Sequence, residues 1–295
     1  MKSWVYFLNF VVSMIFKPGL YIVSTPIGNL DDITLRAIET LKNSTIILCE
    51  DTRVSKKLLA KHSINKIRLQ VYNDHSDEIE RDNIFRLIDQ GGIISLISDA
   101  GTPLISDPGY KLVRELKEKG YHIDVLPGVS SPITALTISG LPSDKFLFTG
   151  FLPKTMESKK KIFTELSQIK ATLIFFETAT RLISSLLVAR DVLGNREMVV
   201  ARELTKRYQE IKSGSIDEII DFYQTHAIRG EIVLLIASFT GEQNKEITEI
   251  ALQELLKLYL AKGWSAKSVT DLAYEKFSKI YSKKDIYSIA NKMKG

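Results

Sequence analysis

From about Gly19 to Ser238, short β-rich apolar runs alternate with segments of helical period, and this alternation constrains the fold more than any other feature of the chain. LYIVST, STIILCE, GGIISLIS, YHIDVLP, ATLIFFE, MVVARE and EIVLLIAS read as strands. Helical periods are expected between them, at about residues 54–61, 78–90, 110–119, 131–140, 158–168, 181–193 and 215–225. An earlier helix is expected to be capped by Asp31 or Asp32, to carry Ile33, Leu35, Ala37, Ile38 and Leu41 on one face, and to stop at Asn43. Strands that alternate with helices imply α/β layers around a largely parallel sheet. A break is expected within FLFTGFLPKTMESKKK, residues 146–161, where Gly150 and Pro153 sit beside a lysine run. The economical organisation is two α/β lobes, residues 19–130 and 131–240, followed by a helical tail at 241–295.

The tail has no β-rich run, and Glu246 to Gly295 reads as three short helices. Ser282 with Asp285 three residues on forms a near capping box for the last of them. Lys276, Lys279, Lys283, Lys284, Lys292 and Lys294 cluster there, either as a solvated basic face or as an RNA-touching module. At the other end, Trp4 to Phe16 is apolar but spans only thirteen residues, too few to cross a bilayer comfortably. It lacks a signal-peptide cleavage pattern, so residues 1–18 are expected to be an appended extension ahead of a cytoplasmic domain that opens near Gly19, with Met14 as an alternative start.

The chain has 295 residues, 44% of them hydrophobic and 25% charged, which is enough for two packed cores. Its net charge of +5 is compatible with a polyanionic partner without requiring one. The single cysteine, Cys49, excludes a disulfide within the chain and a cysteine-based zinc site, and is expected to be a small core residue. His62, His75, His122 and His226 form no i, i+4 pair, so a helix-borne histidine metal site has no support.

Chemistry is expected where strands end. GGIISLI runs into SDAGTPLISDPGY, residues 98–110, where Gly101, Pro103, Pro108 and Gly109 shape a loop flanked by Asp99 and Asp107. Open α/β sheets bind ligands at the carboxyl ends of their strands. Three other strand-end loops join it: STPIGNL with Pro26 and Gly28, CEDTR with Glu50, Asp51 and Arg53, and PGVSS with Gly128, Ser130 and Ser131. No Walker A loop, G-x-G-x-x-G turn or G-x-S-x-G elbow occurs, which speaks against an ATPase, a dinucleotide dehydrogenase or a serine hydrolase. Turns, hydroxyls and acids without a phosphate cradle suit a cationic or zwitterionic ligand better than a triphosphate.

TPIGNL, CEDTR, SDAGTPLISDPGY, SGLPSDKFLFTGFLPK, ARELTK and SKKDIY, in that order, resemble the bacterial small-subunit ribosomal RNA 2′-O-methyltransferases of the tetrapyrrole methylase-like superfamily. The resemblance extends over nearly all of the chain after Leu20. It implies a methyltransferase that uses S-adenosyl-L-methionine, bound in a cleft between two α/β lobes, to methylate the ribose of a cytidine in 16S ribosomal RNA. The RNA would be free or in an assembled small subunit, and the enzyme a homodimer with no membrane association. On the matching positions, Pro26, Asp99, Ala100, Thr102, Ser130, Ser131 and Leu204 would line the cofactor site. Glu50, Asp51, Arg53, Asp74, His75, Glu177, Arg181, Arg202 and Glu203 would face the substrate, with Asp51, His75 and Arg53 as the catalytic candidates.

The chain departs from that pattern at Asn73 and Ser76, in NDHS, and at Thr180, in TATR, where the family carries histidines or asparagine. The PGVSS loop also lacks a proline directly after Gly128. Two alternatives stay open on the sequence: a methylase acting on a tetrapyrrole, and a non-catalytic RNA-binding protein that keeps the fold. Lysine-rich KTMESKKK and the basic tail favour RNA over a carboxylated macrocycle.

Overall fold

The computed structural model describes residues 16–73, 78–240, 242–278 and 281–294. It divides into two compact units, one running to Ala135 and including Glu203–Gln209, the other comprising Leu136–Arg202 and the chain from Glu210 onward.

The first unit alternates strand and helix: β1 (Gly19–Val23), α1 (Leu35–Lys42), β2 (Ile46–Cys49), α2 (Thr52–Lys61), β3 (Arg68–Val71), α3 (Glu78–Asp89), β4 (Ile93–Leu96), α4 (Tyr110–Glu118) and β5 (Ile123–Leu126). All pairings are parallel, in the order β3-β2-β4-β1-β5. Successive side chains on a strand point to opposite faces, and both faces are buried here. Leu20, Ile22, Ile46, Leu48, Ile94 and Leu96 pack into one cluster. Tyr21, Val23, Ile47 and Cys49 pack into another on the opposite face. Cys49 is fully buried, as expected of a core thiol, and burial pushes its pKa up.

Helix α1 starts later than Asp31 or Asp32 suggested. Thr34 is its N-cap, with Oγ1 accepting from the Ala37 N–H at 3.1 Å. The later start rotates Leu35 off the core face, leaving it 86% exposed, while Ala37, Thr40 and Leu41 are buried.

Helix α5 (Ser131–Ser139) carries the chain into the second unit. There follow β6 (Phe146–Phe151), α6 (Met156–Leu166), β7 (Thr172–Thr178), a 3₁₀ turn (Ala179–Arg181), α7 (Leu182–Leu193), β8 (Glu197–Arg202), β9 (Glu210–Ser215), α8 (Ile216–Thr225) and β10 (Glu231–Ile236). The sheet order is β6-β7-β10-β8-β9, and only β6–β7 is parallel. The expectation of a largely parallel sheet therefore holds for the first unit and fails for the second. Three strands had escaped the sequence reading. β3 and β9 lie at sheet edges and are only partly buried, so they lack a continuous apolar run. β6 is interrupted at Gly150, where φ is +74° and the register to β7 shifts between Phe148 and Phe151. The segment 146–161 is thus β6 and the start of α6 rather than a break.

Three helices close the chain: α9 (Glu242–Ala261), α10 (Ala266–Phe277) and α11 (Lys283–Lys294). They share a core of their own, formed by Leu252, Leu256, Ala266, Val269, Ala273, Ile286 and Ala290. Ser282 Oγ donates to Asp285 Oδ2 at 2.6 Å and accepts from the Asp285 N–H at 3.2 Å, which completes the expected cap. Among the described residues no helix is long and apolar enough to cross a membrane.

Candidate active site

The carboxyl ends of β1, β4 and β5 are stitched together within the first unit. Thr25 and Gly101 exchange backbone hydrogen bonds of 2.8 and 3.0 Å, an isolated antiparallel bridge between the loops after β1 and β4. Thr25 Oγ1 donates to the Ser98 carbonyl at 3.0 Å. Ser24 Oγ and Thr102 Oγ1 are 3.0 Å apart, and Thr102 Oγ1 donates to the Val129 carbonyl at 3.0 Å, which ties in the loop after β5. A Cβ on Gly128 would lie 2.7 Å from that of Ser24, so only glycine permits the approach. The loops carrying Pro26, Asp99, Ala100, Thr102, Ser130 and Ser131 thus converge.

The segment Glu203–Gln209 joins them. The Asn29 N–H donates to Thr205 Oγ1 at 3.0 Å, and a Cβ on Gly28 would meet Thr205 Oγ1 at 2.7 Å and the Leu204 carbonyl at 2.9 Å. Leu204 itself is buried. Glu203 and Thr205 have φ of +51° and +63°, and Leu104 and Ser106 have +72° and +69°. Four non-glycine residues in the left-handed region, in two loops of one unit, mark backbone held in place by its surroundings.

An open cleft of about 600 Å³ lies along these loops, lined by Asp31, Asp32, Ile33, Thr34, Gly128, Val129, Ser130, Ile133, Thr134 and Thr205. Of the expected cofactor residues only Ser130 lines this cleft; Thr102 reaches it through its bond to Val129, and Leu204 through its neighbour Thr205. The sequence reading missed Thr34 and Thr134, and it took Asp31 and Asp32 for helix caps. Their signal lay in α1 starting at Thr34, which leaves two carboxylates free of capping in the preceding loop. The lining fits S-adenosyl-L-methionine: hydroxyls and backbone groups can pair with a nucleoside and an amino-acid end, Asp32 tolerates a cation while Asp31 is paired with Lys61 Nζ at 3.1 Å, and no lysine or arginine belongs to the lining itself.

In the same unit a carboxyl cluster forms at the ends of β2 and β4. Asp99 Oδ1 accepts from the Asp51 N–H at 3.1 Å, and Glu50 Oε1 accepts from the Asp99 N–H at 3.4 Å. Burial, with Asp107 as the next cause, pushes the half-buried Glu50 up to about 6. Burial likewise pushes Asp107 up to about 6 and raises Asp99. Asp51 is the opposite case. It caps α2, accepting from the Arg53 N–H at 2.8 Å, and Arg53 Nη2 lies 2.7 Å from its Oδ2; these bonds lower its carboxyl to about 2. His75 and Asp74 lie outside the described residues.

In the second unit Glu177, at the end of β7, is wholly buried. Arg181 Nη2 approaches its Oε1 to 2.6 Å, Lys159 Nζ its Oε2 to 3.7 Å, and Ser185 Oγ donates to it. Lys159, expected in an exposed lysine run, is 1% exposed and also donates to Ser184 Oγ at 3.2 Å. Arg202 pairs with Glu210 at 3.3 Å. Among the described residues no group of three or more His, Cys, Asp or Glu side chains is arranged to hold a metal.

The class follows from comparison. The chain belongs to the family of Tetrapyrrole (Corrin/Porphyrin) Methylases, which matches residues 19–220. Within that class, it is 64% identical over 281 residues to a Ribosomal RNA small subunit methyltransferase I of Rickettsia prowazekii (strain Madrid E), covering 95% of this chain and 99% of the relative. It is 39% identical to the protein of the same name from Bacillus subtilis (strain 168), covering 84% of this chain and 86% of that one. Among solved structures, a cobalt precorrin-4 methyltransferase superposes with a TM-score of 0.56 at 21% identity over 74% of this chain and 94% of that one. A diphthine synthase gives 0.57 at 13% identity, over 74% and 89%. These two likenesses carry the fold alone.

Proposed function

We propose that this protein is an S-adenosyl-L-methionine-dependent methyltransferase that 2′-O-methylates the ribose of a cytidine in small-subunit ribosomal RNA. The observation that carries the reading is the 64% identity, over 95% of the chain, to a protein named for small-subunit ribosomal RNA methylation. The convergent loops after β1, β4 and β5 support the cofactor assignment, and Pro26, Asp99, Ala100, Thr102, Ser130, Ser131 and Leu204, with Thr134 and Thr205, are its proposed residues. Bound there, S-adenosyl-L-methionine supplies a methyl group activated by its sulfonium.

The residues of the chain do the rest. Methyl transfer needs the ribose 2′-oxygen held in line and relieved of its proton, and positioning is the larger share of that work. Glu50, with its carboxyl near 6, is better matched to accept a proton at neutral pH than Asp51, which is held near 2. Asp51 instead anchors Arg53, whose exposed guanidinium is suited to an RNA phosphate. His75 keeps its place as a second proton-acceptor candidate. The exposed apolar side chains Leu35, Val125 and Ile133 support a homodimer. The protein works in the cytoplasm, where ribosomal RNA is found. Labelled methyl transfer to isolated small subunits, followed by mass mapping of the RNA, tests the reading. A 2′-O-methylated cytidine is expected, and label entering only a porphyrinoid overturns it.

A further inference from the structure

The C-terminal helices carry eight lysines and no arginine against four carboxylates between residues 251 and 293. Their arrangement is more telling than their number. Lys267, Asp271 and Tyr274 follow one another at i, i+4 and i+7 on α10, and Lys283 and Tyr287 at i, i+4 on α11, so each set shares one helix face. Lys283 Nζ lies 2.7 Å from Asp271 Oδ1, which brings the two faces side by side. Tyr274 and Tyr287 are 38% and 45% exposed, although the module buries Val269, Ala273, Ile286 and Ala290 behind them. Neither tyrosine belongs to the apolar cluster of this core, and each keeps part of its surface open among exposed lysines.

We infer that the α10–α11 face is an RNA-binding surface separate from the methyl-transfer site, on which Lys267 and Lys283 hold backbone phosphates while Tyr274 and Tyr287 stack on unpaired bases. Lysines alone would suit any polyanion, but flat exposed rings spaced between them match the stacking platform of single-stranded nucleic acid. Lys283 keeps ammonium donors beyond its one exposed carboxylate partner, so the ion pair orients it without using it up. The inference rests on ribosomal RNA being the substrate, and it makes the module an anchor that raises the local concentration of the target for methyl transfer.

The test compares the full-length protein with Lys267→Glu/Lys283→Glu, Tyr274→Ala/Tyr287→Ala and Tyr274→Phe/Tyr287→Phe. A labelled single-stranded oligoribonucleotide is titrated at several salt concentrations, and methylation kinetics are followed on small subunits. The charge reversal should weaken oligonucleotide binding at least tenfold and flatten the slope of log affinity against log salt by about 1.4, at roughly 0.7 per phosphate contact. The alanine pair should weaken binding about tenfold or more with the salt slope kept, and the phenylalanine pair should bind as the parent does. KM for RNA should rise while kcat and the calorimetric affinity for S-adenosyl-L-methionine stay unchanged. Unchanged RNA affinity in both the charge-reversal and alanine pairs overturns the inference. If the parent protein methylates ribosomal RNA and the variants match it, the surface is refuted and the activity stands. If the parent transfers no methyl group but the variants lose RNA binding, the activity is refuted and the surface stands.

Discussion

Lys159 and Glu177 form an ion pair in the interior of the second unit, 3.7 Å apart with side chains 1% and 0% exposed. Arg181 also reaches Glu177, and Ser185 donates to it, so the carboxylate is the shared partner of two cations. Burial lowers the pKa of Lys159, and the Glu177 charge works against that shift. Losing the two partners should therefore have unequal effects. Glu177→Gln leaves an ammonium buried beside a guanidinium and should cost about 3–5 kcal/mol, whereas Lys159→Met leaves Glu177 with Arg181 and should cost about 1–2 kcal/mol. The Gln variant should regain stability as pH rises and Lys159 loses its proton. Urea unfolding at two pH values checks both points; equal losses would place the stabilising contact elsewhere.

The carboxyl cluster predicts a pH dependence of opposite sign to ordinary acid denaturation. Glu50 and Asp107, raised to about 6 chiefly by burial, bind protons more tightly in the folded chain than in the unfolded one. Their contribution is complete below the ordinary carboxyl range and is lost as pH rises through about 6. Glu50→Gln should flatten that fall and be more stable than the parent at pH 8 by about 1 kcal/mol, the full shift of about 2 being discounted for a half-buried group. The same variant should lower kcat at least a hundredfold if Glu50 accepts the ribose proton. Asp107→Asn should share the stability gain and retain most of the turnover, which separates the two effects.

Thr102 offers a narrower test of the cofactor loops. Its Oγ1 is 3.0 Å from Ser24 Oγ and donates to the Val129 carbonyl, linking the ends of β1, β4 and β5 through one hydroxyl. Thr102→Val keeps the shape and leaves that carbonyl without its donor, a loss of about 1–3 kcal/mol. Calorimetry should show affinity for S-adenosyl-L-methionine reduced about tenfold, while Thr102→Ser keeps it. An undiminished affinity in the valine variant would remove the loop junction from the cofactor site.

The sequence revealed most of the first unit because β1, β2 and β4 are buried on both faces and so appear as continuous apolar runs between amphipathic helices, whereas its partly exposed edge strand β3 escaped. The second sheet was less legible, since β9, EIKSGS, gets its place from backbone pairing with β8 rather than from apolar side chains. Composition also misplaced Lys159, because a run of five charged or polar residues on a helix, 157–161, still turns one of them inward every 3.6 residues. Strand-end motifs pointed to the converging loops, yet the cleft lining depended on where α1 begins. Asp31 and Asp32 were plausible caps, and only the Thr34 bond to Ala37 returns them to the cleft.

Gly28 tests whether the approach of the Glu203–Gln209 segment matters to binding. Its φ is not in the left-handed region, so an alanine there meets no backbone strain, only neighbours. The added Cβ would lie 2.5 Å from Lys206 Cγ, which can move, and 2.9 Å from the Leu204 carbonyl, which is fixed by backbone with left-handed residues on either side. Gly28→Ala should therefore push the segment away from the loop after β1 and cost about 1–3 kcal/mol of stability. It should also weaken S-adenosyl-L-methionine binding by more than Thr102→Val, because Leu204 and Thr205 move together. Adding Lys206→Ala removes the movable clash and should restore only part of the loss. Full restoration would mean that the lysine stem alone had obstructed the alanine, and that the Leu204 carbonyl does not set the position of the segment.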